Sequence, residues 1–259
     1  MEASGPATAD SNAGLFVSTL SNLQGIDLGF NCDKTLLLTV NGKQAVYQDA
    51  ALGRFYDSLR KRLSSIPGVQ SVTLSNFALV SGAAADRNIT IPGLAPDKNH
   101  GTYVLQGGPS FFSTMAIPIL IGREIDERDN AAAPRVAVVN EVFAKTYFGS
   151  ANPVGRHLGS GAGPSSLDIE IIGVARTARY DTLKTDVPPT VYLAYMQYPR
   201  GPEQMVYELR TAADPVGYVD TVRRSVREAD ARIPMFSVRS QASQNRPDDQ
   251  SGACLCQAL

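Results

Sequence analysis

Between Lys34 and Val40 the chain reads KTLLLTV, a short apolar run rich in leucine and closed by Gly42. A run of that length, bounded by a turn residue, predicts a buried strand. From Leu52 the spacing changes. Leu52, Phe55, Tyr56, Leu59, Leu63 and Ile66 recur every three or four residues, which is one face of a helix, while Arg54, Asp57, Arg60, Lys61 and Arg62 fill the other face. Pro67-Gly68 stops that helix. In VQSVTLS, Val69, Ser71, Thr73 and Ser75 alternate with Val72 and Leu74, the pattern of a half-buried strand. The three elements make a β-α-β unit.

A second unit of the same kind stands near the C-terminus. Met205 to Arg210 (MVYELR) reads as a strand. Asp214-Pro215 then suits a helix start, because Asp caps free N–H groups and Pro is tolerated in the first turn. Val219, Val222, Val226 and Ala229 form the apolar stripe of that helix, and after Pro234 the run MFSV (Met235 to Val238) closes the unit as a strand. Two such units pack as one four-stranded sheet with two helices on one face, a ferredoxin-like arrangement; the competing reading is two unrelated units in separate domains.

The segment between them carries its own pattern. Arg87 to Pro92, Thr102 to Leu105, Arg135 to Val139, Asp168 to Ala175 and Thr190 to Tyr195 read as strands, and Ser110 to Met115 as a helical turn before Pro118. Asn140 can cap a helix over Glu141 to Phe148, with Val142, Phe143 and Tyr147 on its apolar side and Gly149 at its end. Gly159 to Ser166 (GSGAGPSS) reads as a flexible turn. The fold class expected is α+β. Residues 31–82 and 203–242 form one discontinuous β-α-β/β-α-β subdomain, and residues 83–202 a small α/β subdomain inserted into it. Residues 1–30 are expected to be an N-terminal stretch, polar from Met1 to Asn12. Past Ser240 periodicity disappears and Gln, Asn and Asp accumulate, so residues 243–259 are expected to be a disordered tail.

Composition narrows the function classes. With 259 residues the chain buries a core without disulfides or metals. A net charge of −1 and the lack of any basic run argue against nucleic-acid binding. Cys32, Cys254 and Cys256 are an odd count at irregular spacing and imply no disulfide framework; Cys254-x-Cys256 is too short for a redox or zinc motif. No stretch approaches the roughly 20 apolar residues that cross a bilayer. The N-terminus, with Glu2, Asp10 and no basic residue before Asn12, does not read as a signal peptide.

Candidate chemistry is sparse. His100 sits in a polar loop and His157 beside Arg156, neither at ligand spacing from another donor. Gly159, Gly161 and Gly163 lack the Lys-Ser/Thr and the following helix that a phosphate cradle needs. Glu124, Asp126, Glu127 and Asp129 are eligible as oxygen ligands for calcium or magnesium, but Arg123 and Arg128 interleave with them, which favours a solvated, salt-bridged turn. No strand-to-helix turn presents a serine near a histidine.

Several linked stretches carry a family resemblance. They are GLFVSTLSNLQGIDLGF (Gly14 to Phe30), PGVQSVTLS (Pro67 to Ser75), GPSFFSTMAIPILIGREIDERD (Gly108 to Asp129) and RVAVVNEVFAKTYFGSANPVGRHLG (Arg135 to Gly159). They continue in DIEIIGVARTARYDTLKTDVPPTVYLAY (Asp168 to Tyr195) and in ELRTAADP with its helix (Glu208 to Ala229). Together they resemble the periplasmic core domain of MacB-type ABC-transporter permeases, closest to those of acidobacteria. The resemblance implies a non-enzymatic extracytoplasmic domain that relays motion between membrane helices, a separate ATPase and extracytoplasmic substrates or a periplasmic adaptor, with no nucleic-acid partner. It transfers no catalytic residue, no cofactor and no metal site. It also implies a membrane helix before Gly14 and a stalk after Ser240, where this chain has polar sequence, so a truncated or frame-shifted copy of a permease is expected. Within residues 1–30 the stretch that follows the polar Met1 to Asn12 is, on this resemblance, the remnant of a membrane-helix end or stalk. The alternative is a stand-alone soluble protein-interaction module.

Overall fold

The computed structural model describes residues 28–45, 47–83, 85, 87, 89–91, 102–160, 167–179, 187–198 and 202–245. Strand β1 (Thr35–Asn41), helix α1 (Asp49–Ser64) and strand β2 (Val69–Ser75) form the first expected unit. Strand β10 (Gln204–Thr211), helix α4 (Val219–Ala229) and strand β11 (Met235–Ser240) form the second. The strands lie in the order β11-β1-β10-β2, every neighbour antiparallel. The two β-α-β units therefore interleave, each placing a strand between those of the other, which is the ferredoxin-like topology. Leu36, Leu38 and Val40 of β1, Val72 and Leu74 of β2, and Met205, Tyr207 and Leu209 of β10 face the helices, where they meet Leu52, Tyr56, Leu59, Leu63, Val222 and Val226 in one core. The alternation of period two against spacings of three and four brings these side chains together.

The remaining elements continue the sheet. They are β3 (Ile89–Thr90), β4 (Tyr103–Gly107), α2 (Phe111–Met115), β5 (Ile119–Gly122), β6 (Arg135–Asn140), α3 (Glu141–Phe148), β7 (His157–Ser160), β8 (Ile169–Ala175) and β9 (Thr190–Ala194). Ser75 of β2 pairs with Gly107 of β4, and from there the order runs β4-β9-β6-β8-β7-β3, with β5 also on β8. Both faces of β4, β9, β6 and β8 are covered. Val138, Tyr192 and Ala194 pack with Phe111, Phe112 and Met115 of α2 on one side; Ala137, Val139, Val191 and Leu193 pack with Phe143 of α3 on the other. Burial on two faces explains why these strands read as unbroken apolar runs. Asn140 caps α3 as expected, its Oδ1 accepting from the Phe143 N–H at 2.8 Å.

Several expectations are corrected. Two strands were not legible: β5 is the four residues Ile119–Gly122 directly after Pro118, and β7 includes Gly159, expected in a flexible turn but paired here with Thr90. Both are short segments stabilised by neighbouring strands, β5 by β8 and β7 by β8 and β3, rather than by their own pattern. Arg60, assigned to the solvent face of α1, is only 7% exposed, because the 124–129 turn folds over it. Thr73 and Ser75 are buried although their strand reads as half exposed, since the 76–80 turn covers that side. Ala229, placed on the apolar stripe, is exposed. Residues 241–244, beyond the point where order was expected to fade, form α5 (Gln241–Gln244), with Gln241 and Gln244 buried. Residues 246–259, with Cys254 and Cys256, lie outside the described residues, as do His100, Gly161 and Gly163.

Candidate functional site

The two ends of the described chain meet at one place. Leu36 near the start of β1 pairs with Ser240 at the end of β11, so the segments before β1 and after β11 leave the sheet side by side. Before β1, Phe30 is buried in the core of α2 and β9, while β1 itself belongs to the core of α1 and α4. Residues 31–35 thus bridge the two cores. The Leu28 carbonyl accepts from the Arg179 N–H and the Asn31 N–H donates to the Met115 carbonyl, both at 2.9 Å. At Gly29 φ is +74° and an added Cβ would stand 2.2 Å from the Thr177 carbonyl oxygen, so the close approach admits only glycine.

Arg210 of β10 fastens this crossing. Its Nε donates to the Thr114 carbonyl at 2.6 Å, Nη2 to the Asn31 carbonyl at 3.0 Å and Nη1 to the Asp33 carbonyl at 3.2 Å. One guanidinium fork therefore ties β10, the end of α2 and the incoming segment. Burial lowers its pKa from the usual arginine value, and Asp33 offsets part of that effect. After β11, the Gln241 and Gln244 side-chain amides donate to the Leu79 and Val80 carbonyls at 3.0 and 3.3 Å. Cys32 is a free thiol at this junction; burial and the Asp33 charge push it up, and Asn245 works against them.

A second connection joins α1 to the 124–129 turn. Arg60 donates to Asp57 and to Glu127, and Lys61 also pairs with Asp57 at 2.8 Å. Burial alone would raise the Asp57 carboxyl, but the hydrogen bonds and charges of Lys61 and Arg60 outweigh it and hold the carboxyl below its ordinary range. Asp129 takes two hydrogen bonds from Arg123 at 2.7 and 2.8 Å and one from the Asp126 N–H at 2.9 Å. Arg128 pairs with Asp126 at 2.7 Å, and Glu124 accepts from the Ser113 N–H at 3.1 Å. Each carboxylate of REIDERD is thus engaged by an arginine or a backbone N–H. Among the described residues no group of three or more His, Cys, Asp or Glu is placed to hold a metal ion. His157 lies exposed on β7, which pairs with Glu170 of β8. Replacing Arg60 by Met is expected to cost about 1–2 kcal/mol in urea unfolding, the range for losing charge-assisted hydrogen bonds at a partly buried site. Hydrogen exchange should show the loss concentrated in residues 124–129.

Arg210, Arg60, Gln241 and Gln244 were not legible in the sequence as connecting residues. Only Arg60 carried a signal, since an arginine flanking an apolar stripe can be covered by a neighbouring element.

Residues 17–229 match the family model of the MacB-like periplasmic core domain. The periplasmic region of MacB from Actinobacillus actinomycetemcomitans superposes with a TM-score of 0.57 at 13% identity, covering 86% of this chain and 95% of that one. A domain described as belonging to a permease protein from Porphyromonas gingivalis superposes at 0.51 with 14% identity, covering 82% and 92%. Among curated proteins none matches the chain.

Proposed function

The chain belongs to the family of MacB-like periplasmic core domains, found in ABC-type transporter permeases, and from that premise we propose that it is a non-enzymatic relay. It would pass motion of permease helices, driven by a separate ATPase, to an extracytoplasmic substrate or adaptor in transport or efflux. The observation that carries this reading is the shared junction: both chain ends leave the sheet together, and the incoming one is buried in a different core from the strand it becomes. A pull on residues 28–34 acts on both cores at once, because Arg210 ties the segment to β10 and to α2. Within the described residues no helix is long and apolar enough to cross a membrane, so the helices would be supplied by further sequence or by a second chain. On this reading residues 83–202 are the moving insert and the ferredoxin-like part is its base.

Membrane fractionation of native cells tests the proposal. Recovery of the protein in membranes, open to external protease in spheroplasts and co-purifying with an ATPase, is expected. Recovery only from the cytosol, with no ATPase partner, overturns it and favours a soluble interaction module.

A further inference from the structure

On the sheet face turned away from α1 and α4 one carboxyl is sealed in. Glu208, in the middle of β10, is 1% exposed. It stands between Leu37 of β1 and Thr73 of β2. Leu37 and Val206 share its face and pack with Ala78 of the covering turn. Its Oε1 is within hydrogen-bonding reach of Ser75 Oγ, which also lies 2.7 Å from the Phe77 carbonyl. Glu208 Oε2 and Thr73 Oγ1 are buried without a partner. Two cations share this face. The guanidinium of Arg210 is engaged by three carbonyls, and Arg239 sits opposite Leu37 on β11, beyond β1. Neither is hydrogen-bonded to the carboxyl, and the covering turn and α5 bring only uncharged groups, Ala78, Gln241 and Gln244.

Counting protons decides its state. A serine hydroxyl has one hydrogen to donate. Ser75 faces two acceptors, and the Phe77 carbonyl never carries a proton. If Glu208 were ionised, Ser75 could satisfy only one of them, and an anion with a bare Oε2 would be buried, at a large desolvation cost. If Glu208 is protonated, Oε1–H donates to Ser75 Oγ and Ser75 O–H donates to Phe77. Both contacts become hydrogen bonds and no charge is buried.

We propose that Glu208 is held as the neutral acid in the folded protein, and that its proton is a latch fixing the 76–80 turn, and through it α5, to the sheet. Burial pushes the carboxyl up to about 8, opposed by the Ser75 hydroxyl and the Glu208 backbone. When the proton leaves, Ser75 must turn its O–H from Phe77 to the carboxylate, and the turn loses its anchor. The carbonyls of Leu79 and Val80, which hold Gln241 and Gln244, loosen with it. The folded value lies above the ordinary glutamate value of 4.5, so the stabilisation is complete below 4.5, declines as the pH rises towards 8, and is gone above it.

The test uses the full chain with carbon-13 in its glutamates, titrated by NMR from about pH 4 to pH 10. One carboxyl carbon should titrate well above the others and be missing in Glu208→Gln, whose amide still donates to Ser75. All glutamates titrating in the ordinary range overturns the proposal, and wild type alone suffices for that result. Amide exchange of residues 76–80 and 241–245, corrected for intrinsic rates, should rise about tenfold per pH unit below the wild-type midpoint, level off above it, and stay flat throughout in Glu208→Gln. No rise in wild type overturns the latch even where the proton is found. The importance of the latch for transport rests on the proposed relay. The titration does not, since a chain that never joins a permease would titrate in the same way.

Discussion

Gly173→Val is expected to leave no folded protein, and Gly173→Ala to cost on the order of 3 kcal/mol or more. β8 carries an extra residue at Ile172, so that Ala137 and Val138 of β6 pair with Ile171 and Gly173. On the other edge Gly122 of β5 pairs with Gly173. A Cβ on Gly173 would stand 2.3 Å from the Arg123 carbonyl oxygen, a backbone atom that cannot swing away. Gly122 is as confined: φ is +78° and its Cβ would lie 2.1 Å from the Ile172 carbonyl oxygen. This close approach sets Arg123 where its guanidinium holds Asp129, and so shapes the turn from which Glu127 reaches Arg60. The loss should therefore exceed the burial of one methyl and include the link to α1. Urea unfolding of Gly173→Ala checks the magnitude, with Gly53→Ala as the control. Gly53 is inside α1 with nothing within 4 Å of an added Cβ, so that exchange should stabilise by about 0.5–1 kcal/mol through helix propensity. A Gly173→Ala variant as stable as wild type would refute the argument.

Arg210→Ala should cost about 2–3 kcal/mol and release residues 28–34. The Thr114 backbone lies in a fully buried residue, so its carbonyl loses a partner that water cannot easily replace, whereas Asn31 and Asp33 are exposed and their carbonyls can be rehydrated. That difference keeps the estimate below the sum of three charge-assisted bonds. Arg210→Lys should recover less than half of the loss. An ammonium is a single point, and the three carbonyls are spaced for a planar fork. Denaturant midpoints measure the energy. Hydrogen exchange should locate the change at Asn31 and Thr211, whose N–H groups donate to the Met115 and Lys34 carbonyls. In an intact permease the same substitution should uncouple ATP hydrolysis from transport while the ATPase remains bound. A fully active Arg210→Ala permease would count against the relay.

The ferredoxin-like half was legible because its signals are local. The α1 stripe, Pro67-Gly68 after it and Asp214-Pro215 before α4 each act within a few residues. The Asp214 carboxylate accepts from the Val216 N–H at 3.0 Å, as a capping aspartate should, although the first turn it caps is 3-10. The insert was legible where its strands are buried on two faces. It was not legible at β5 and β7, whose few residues are ordered by β8 and carry little periodicity of their own.

The candidate junction shows the opposite balance. In MVYELR the alternation places Met205, Tyr207 and Leu209 on one face and Val206, Glu208 and Arg210 on the other. By itself that pattern describes a strand with a wet side. Only the tertiary structure covers the second face with the 76–80 turn, α2 and α5, and so turns an ordinary glutamate into a buried acid and an ordinary arginine into a clasp. Periodicity records which face meets the first layer of core, since each element must bury its own stripe to fold. The sequence alone thus determined most of the elements, the two β-α-β units and the family resemblance, while the interleaving of those units is a matter of strand pairing. What lies over the far face depends on segments more than a hundred residues away, as Gln241 on Leu79 and Arg210 on Asn31 are, separated by 162 and 179 positions. Contacts at such separation leave no local period, and three-dimensional packing alone decided them.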